Sequence, residues 1–171
     1  NLPYAHYLIA LSYYEQILDE KRDLDPLIIT KEKIQFFLEK FPDTEYALDL
    51  KFKLDLVNNQ FAAKELYIAK YYIQNKKWTP AINRLKIIIK DYETTIFVEE
   101  ALHRLVEIYY KIGLEDEAKS AAAILGYNYN SSRWYQESYK IINKNYKIPK
   151  PENIKKNEGL LKRTVNKLLK R

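Results

Sequence analysis

The chain has 171 residues, 47% of them hydrophobic, with three glycines, six prolines and no cysteine. That is enough apolar material for one buried core or one array of repeats, too little glycine for a sheet protein with many tight turns, and nothing from which to build a disulfide or a thiolate metal site. The formal net charge is +6, but residues 144–171 carry ten Lys or Arg against two Glu, which puts +8 there and leaves −2 for the remainder.

The body is therefore nearly neutral, and whole-chain basicity does not argue for nucleic acid as a partner. No apolar run approaches the ~20 residues of a membrane span, and Asn1-Leu2-Pro3-Tyr4 has no signal-peptide features. With no methionine anywhere, position 1 included, the chain reads as a fragment or a processed product. The expected fold class is all-α.

Tyr4 to about Glu20 is helical by pattern, with Tyr7, Leu8, Leu11 and Tyr14 at helical spacings. Asp25-Pro26 then reads as a cap followed by a first-turn proline, opening a helix over Leu27 to Lys40. Phe41-Pro42 ends it, and Asp43 or Thr44 is expected to cap the next. From about Glu45 to Lys76 there is no Gly and no Pro, while Ala47, Leu50, Leu54, Val57, Phe61, Leu66, Ala69 and Ile73 recur at helical steps. One helix of roughly 48 Å is expected there, far longer than the ~11–12-residue mean.

Thr79-Pro80 repeats the cap-then-proline device and starts a helix to about Asp91, with Ala81, Ile82, Leu85, Ile88 and Ile89 inward. Thr94 or Thr95 should cap the following one, whose stripe is Val98, Ala101, Leu102, Leu105, Ile108, Tyr109 and Ile112. Gly113 supplies a left-handed cap residue. Glu115 to Leu125 is a small-residue helix ending at Gly126, and Trp134 to Lys144 is one more. Ile148-Pro149-Lys150-Pro151 reads as a linker, which divides the chain into a repeat domain over 1–146 and a basic extension over 147–171.

Phe41-Pro42-Asp43-Thr44, Tyr92-Glu93-Thr94-Thr95 and Tyr127-Asn128-Tyr129-Asn130 each pair an aromatic helix end with a polar cap. Tyr92 to Tyr127 is 35 positions, close to the ~34-residue tetratricopeptide period. Phe41 to Tyr92 is 51, so about 17 extra residues, nearly five turns, fall to the long helix. The expected architecture is a tetratricopeptide-like right-handed solenoid of antiparallel helix pairs with a concave binding face.

Catalysis finds little support. His6 and His103 are far apart and in no metal-binding motif, so neither metal nor cofactor is expected. Three dispersed glycines cannot cradle a phosphate, and Glu99-Glu100 and Glu115-Asp116-Glu117 lie where carboxylates favour a helix N-terminus. The 16 tyrosines, with adjacent pairs at Tyr13-Tyr14, Tyr71-Tyr72 and Tyr109-Tyr110, suit either a partner interface or inter-helix packing. Leu161, Val165, Leu168 and Leu169, interleaved with Lys162, Arg163 and Lys167, form a basic amphipathic pattern. It suits an anionic membrane surface or an acidic partner, or else a solvated extension.

In Tyr71-Tyr72-Ile73-Gln74-Asn75-Lys76-Lys77-Trp78-Thr79-Pro80-Ala81-Ile82-Asn83-Arg84, a Tyr-Tyr pair and a polar spacer lead to a Trp and then to Asn-Arg. Arg22-Asp23-Leu24-Asp25-Pro26 precedes one helix, and Phe41-Pro42-Asp43-Thr44-Glu45-Tyr46-Ala47 precedes the long one. In this order and spacing, from about Leu2 to Leu125, the chain resembles the BamD family, lipoproteins of the outer-membrane β-barrel assembly machinery. Tyr92-Glu93 stands where that pattern has aromatic-Pro, and Tyr127 to Arg171 extends beyond it.

The resemblance implies a non-enzymatic scaffold on the periplasmic face of the outer membrane, built of about five tetratricopeptide-like repeats. It would clamp the membrane-proximal POTRA domain of the barrel-forming subunit BamA and associate with the other lipoproteins of the machinery. The family's lipidated cysteine and first two repeats would precede Asn1. At the place of Arg84 the family has an arginine that pairs with a POTRA acidic residue. The partner-binding set is accordingly Arg84, Asn83, Trp78 and Tyr72, with Trp78 and Pro80 shaping the turn. A planar, always-charged fork suits a carboxylate at an interface in any case. The alternative is a tetratricopeptide adaptor, cytoplasmic or periplasmic, that takes a peptide tail in its groove.

Overall fold

The structure is a computed structural model that describes residues 2–17 and 24–143. Among these residues it contains seven helices and no strand: α1 (Leu2–Tyr14), α2 (Asp25–Lys40), α3 (Glu45–Gln74), α4 (Trp78–Asp91), α5 (Val98–Lys111), α6 (Glu115–Asn128) and α7 (Arg133–Ile142). Each helix packs on its successor, α1 also reaches α3, and α5 also reaches α7. This is a tetratricopeptide-like stack. The extension over 147–171, its residues Lys162, Arg163 and Lys167, and the expected helix end at Lys144 lie outside the described residues.

The long helix is continuous for 30 residues and serves two cores. Its first half contributes Ala47, Leu50 and Val57 to a cluster with Ala10, Leu27, Ile34 and Phe37. Its second half contributes Ala62, Leu66 and Ala69 to a larger cluster shared with α4, α5 and α6. Phe61 stands at the junction, its ring stacked on Tyr92 at 5.9 Å and 7°. The Lys31 ammonium lies over both rings, 5.4 and 5.3 Å from their centroids. The Ile96 amide donates to Asn59 Oδ1 at 3.3 Å, a second tie between α3 and the α4–α5 loop.

Two turn devices alternate along the array. In the first, the aromatic residue just past a helix donates its amide four residues back, and the hydroxyl-bearing residue three positions on donates its own amide to the aromatic carbonyl. Phe41 with Thr44, Tyr92 with Thr95, and Tyr129 with Ser132 all do this. Thr44 and Thr95 also donate Oγ1 to that carbonyl, at 2.9 and 2.8 Å. Their side chains close the preceding helix and do not cap the next; Thr44 does stand at the N-cap position of α3, as expected, whereas Phe97 holds that position for α5. Ser132 alone caps, accepting from the Trp134 amide at 3.1 Å.

The second device is a Schellman turn. Lys77 N donates to Tyr72 O and Lys76 N to Ile73 O after α3, just as Leu114 N donates to Tyr109 O and Gly113 N to Tyr110 O after α5. The left-handed residue is Gly113 (φ 84°) in one and Lys76 (φ 56°) in the other. Lys76 to Gly113 and Tyr92 to Tyr129 are both 37 positions, so the third aromatic turn belongs at Tyr129 and not at Tyr127. Against that unit, the 51 positions from Phe41 to Tyr92 hold 14 extra residues, just under four turns and not nearly five.

Other expectations need correction. α1 ends at Tyr14 and buries only Ala10, leaving Leu8 exposed. Asp25 lies inside the first turn of α2, with Leu24 at the cap position. Thr79 and Pro80 lie inside α4, which starts at Trp78 because the Schellman turn ends there. Ile112 is exposed, whereas His103 and Val106 join the buried face of α5. Gly126 does not end α6. The helix runs through it to Asn128, and a Cβ there would meet the Tyr135 ring at 2.7 Å, so close approach of α7 explains the glycine.

A polar seam fixes α7 to α5. His103 is 5% exposed, with Nδ1 2.9 Å from the fully buried Ser138 Oγ and Nε2 3.5 Å from Glu107 Oε1. Arg104 donates to Glu107 at 2.7 Å and to Glu100 at 3.2 Å while its guanidinium lies 5.5 Å over the Trp134 ring. Lys70 of α3 completes the seam through Glu100 at 2.9 Å. The hydrogen bond from His103, joined by that from Arg104, outweighs burial and holds the Glu107 carboxyl at about 2.

A lowered carboxyl stabilises the fold above its ordinary value of 4.5, and that contribution is lost as pH falls towards about 2. Glu107→Gln should therefore lower Tm at neutral pH and flatten the curve of Tm against pH across that acid window, as followed by circular dichroism. Parallel curves for the two proteins would remove Glu107 from this role. Lys76→Gly should raise Tm. Left-handed backbone costs a side-chain-bearing residue roughly 1–2 kcal/mol against roughly 0.5–1 for glycine's freedom when unfolded. The net gain is about 0.5–1 kcal/mol, or roughly 1–3 °C in calorimetry.

Candidate partner interface

The α3–α4 hairpin carries all four residues expected to bind a partner. Its turn is held by the Schellman bonds and by Asn75 Nδ2, which donates to the Tyr71 carbonyl at 2.8 Å. Tyr71 is 57% exposed and Tyr72 half-buried, with the two rings edge-on at 5.8 Å and 62°. One tyrosine faces out and its neighbour packs on the core.

The four residues do not form one patch. Tyr72 and Trp78 pack on the core shared by α3 to α6. Trp78 lines a cavity of about 650 Å³ together with Ile73, Arg104, Lys111 and Ile141, and the Lys111 ammonium lies 5.0 Å over its ring. It is therefore turned towards α5 and α7. Asn83 and Arg84, further along α4, do not line that cavity, and Asn83 is exposed.

Arg84 already has a partner. Its Nη1 donates to both oxygens of Glu65 on α3, at 3.2 and 3.1 Å. The Arg84 side chain is 39% exposed and Glu65 16%, so solvent screening holds the pair to at most ~1 kcal/mol. The pair orients the fork more than it stabilises the fold. Nη2 and Nε are not used by Glu65, and the half-exposed guanidinium keeps donor capacity for a second carboxylate. Glu65 also bears on Tyr92, whose hydroxyl is pushed up chiefly by burial and then by the Glu65 charge.

Glu65 was not singled out from sequence, although a signal existed. It lies between Ala62 and Ala69 on the inward flank of α3, where a carboxylate must find a cation. From sequence Glu100 is expected only to favour a helix N-terminus, and Arg104 and Glu107 carry no expectation; in the structure all three belong to the α5–α7 seam. Among the described residues no group of His, Asp or Glu could hold a metal ion, and no helix is long and apolar enough to cross a membrane.

A family model described as "Outer membrane lipoprotein" (YfiO) matches residues 1–125. The outer membrane protein assembly factor BamD of Rickettsia prowazekii (strain Madrid E) is 44% identical over 146 residues, covering 85% of this chain and 58% of the relative. The assembly factor BamD of Caulobacter vibrioides is 42% identical over 152 residues, covering 89% and 50%. A more distant one, from Neisseria meningitidis serogroup A, is 29% identical over 143 residues, covering 77% and 53%. The chain thus spans about half the length of the curated relatives it matches. On the extent of the family match and these identities, with the tetratricopeptide-like stack beneath them, the chain belongs to the YfiO/BamD family of outer membrane lipoproteins.

Proposed function

We propose that this chain is a non-catalytic scaffold in the assembly of outer-membrane β-barrel proteins, working at the periplasmic face of the outer membrane. Its relatives carry the name of assembly factors. The partner proposed for the α3–α4 hairpin is the membrane-proximal POTRA domain of BamA, with an acidic residue of that domain docking on Arg84. Asn83 would extend the contact, while Tyr72 and Trp78 act from behind by packing the hairpin on its core. Attachment to the membrane would come through a lipidated cysteine upstream of Asn1, and further lipoproteins of the machinery would share the array.

The observation that carries this reading is the half-exposed Arg84 fork on α4, aimed by Glu65 of the unbroken 30-residue α3 on which α4 packs. A rigid mount matters because an interface charge contributes only when its position is held before binding. A swinging arginine would lose side-chain entropy on docking, and the Glu65 bond removes much of that loss in advance.

Arg84→Glu should weaken binding of a POTRA fragment by about 2 kcal/mol, close to 30-fold in Kd. Because it also sets two carboxylates together, some loss of Tm is expected. The double variant Glu65→Arg/Arg84→Glu restores an ion pair of reversed polarity, so Tm should recover while affinity in calorimetric titration does not. Recovery of affinity along with Tm would mean that Arg84 serves only the α3–α4 contact.

A further inference from the structure

α4 and α6 both pack on α5. Between them runs a trough of about 580 Å³ whose floor is formed by Leu102, Leu105 and Tyr109 of α5. Ile89 of α4 and Ile124 of α6 rise from the two sides, and Ile124 is 46% exposed. The rims are of opposite sign. Lys86 and Lys90 stand on the α4 side and Asp116 and Glu117 on the α6 side. Asp116 is met by Lys119 at 3.4 Å, whereas Lys86, Lys90 and Glu117 have no ion pair among the described residues.

We infer that this trough is a second docking site, and that its occupant is a short amphipathic helix of another protein with an apolar stripe flanked by carboxylates on one side and by Lys or Arg on the other. An apolar floor between parallel walls accepts a helix through anchors at i, i+3 or i+4, and i+7. The wall from Asp116 to Ile124 spans eight residue steps, about 12 Å of helix, which matches two to three turns of ligand. The rims add selection, because a flank of the wrong sign sets like charges together at close range. That argues against the chain's own extension. Its ten basic residues against two acidic ones over 144–171 would satisfy Glu117 and be repelled by Lys86 and Lys90.

The site is distinct from Arg84, which faces α3, so it stands or falls apart from the POTRA proposal. The test uses the full chain and three fluorescent helical peptides of about 12 residues with one leucine stripe. One peptide has a Glu flank and a Lys flank, one has Lys on both flanks, and one has Glu on both. Fluorescence anisotropy should show the mixed peptide binding at least tenfold more tightly than either other. Ile124→Glu should abolish its binding, and Lys86→Glu/Lys90→Glu should shift the preference to the all-Lys peptide, with circular dichroism unchanged. Equal affinities, or a mixed peptide indifferent to both variants, would overturn the inference. So would self-association in sedimentation equilibrium that Ile124→Glu abolishes, which assigns the trough to a second copy. A tenfold gain in affinity on deleting residues 147–171 would assign it to the chain's own extension and overturn the inference as well.

Discussion

The whole stack depends on α3 keeping its apolar face in phase across 30 residues. Relative to the 37-residue unit, 14 residues have been added within the segment that α3 occupies. At about 100° per residue they bring the stripe back to within roughly 40° of where it began. One ridge can then close a core with α1 and α2 and, further along, another with α4 and α5. An insertion of two residues more or fewer would turn that ridge by about 200° and point the second set of core residues, Ala62, Leu66 and Ala69, towards solvent. The absence of Gly and Pro over 45–74 keeps the rod from kinking. Where the two cores meet, the Phe61–Tyr92 stack under Lys31 holds the join against shear.

Charge in this protein works as alignment. Arg84–Glu65, Lys70–Glu100 and the Arg104 contacts all include a partly exposed partner, so each contributes little to stability by itself. Arg84–Glu65 and Lys70–Glu100 run from one helix to another, and Arg104, paired within α5, reaches α7 through the Trp134 ring, at places where apolar packing alone permits sliding. Burial sets how tightly neighbouring helices pack, and the ion pairs set which residues stand opposite each other. His103 and Ser138 belong to the same logic. Both are buried, and their mutual hydrogen bond satisfies polar atoms that would otherwise cost about 1–3 kcal/mol each.

α4 carries residues of both proposed surfaces. One side carries Arg84 towards α3, and another carries Lys86 and Lys90 over the trough formed with α5 and α6. A repeat array contacts only its neighbours and so presents separate faces to separate partners. A 14-residue helix would thereby serve both proposed surfaces without either competing for the other's side chains. Its firm seat, through Ala81, Leu85 and Ile88, positions both.

Periodicity and punctuation were enough to read the number and kind of the helices among the described residues, the inward stripes of α3 and α4 and most of that of α5, and the break at Gly113. These depend on side chains three and four apart, which any helix brings together wherever it lies in space. The family was legible for the same reason, since its pattern is a spacing of aromatic, Trp and Asn-Arg positions along the chain. Only the tertiary structure decided that Thr44 and Thr95 bond backwards, that Lys76 does the work of a glycine, that Gly126 makes room for Tyr135, and that Arg84 is held by Glu65. It alone made the trough, because α4 and α6 face each other only through the way each crosses α5. Contacts across 19 residues (Glu65 to Arg84) or 35 (His103 to Ser138) follow from helix crossing geometry, and that geometry is set by many packed side chains at once and by no local run of sequence.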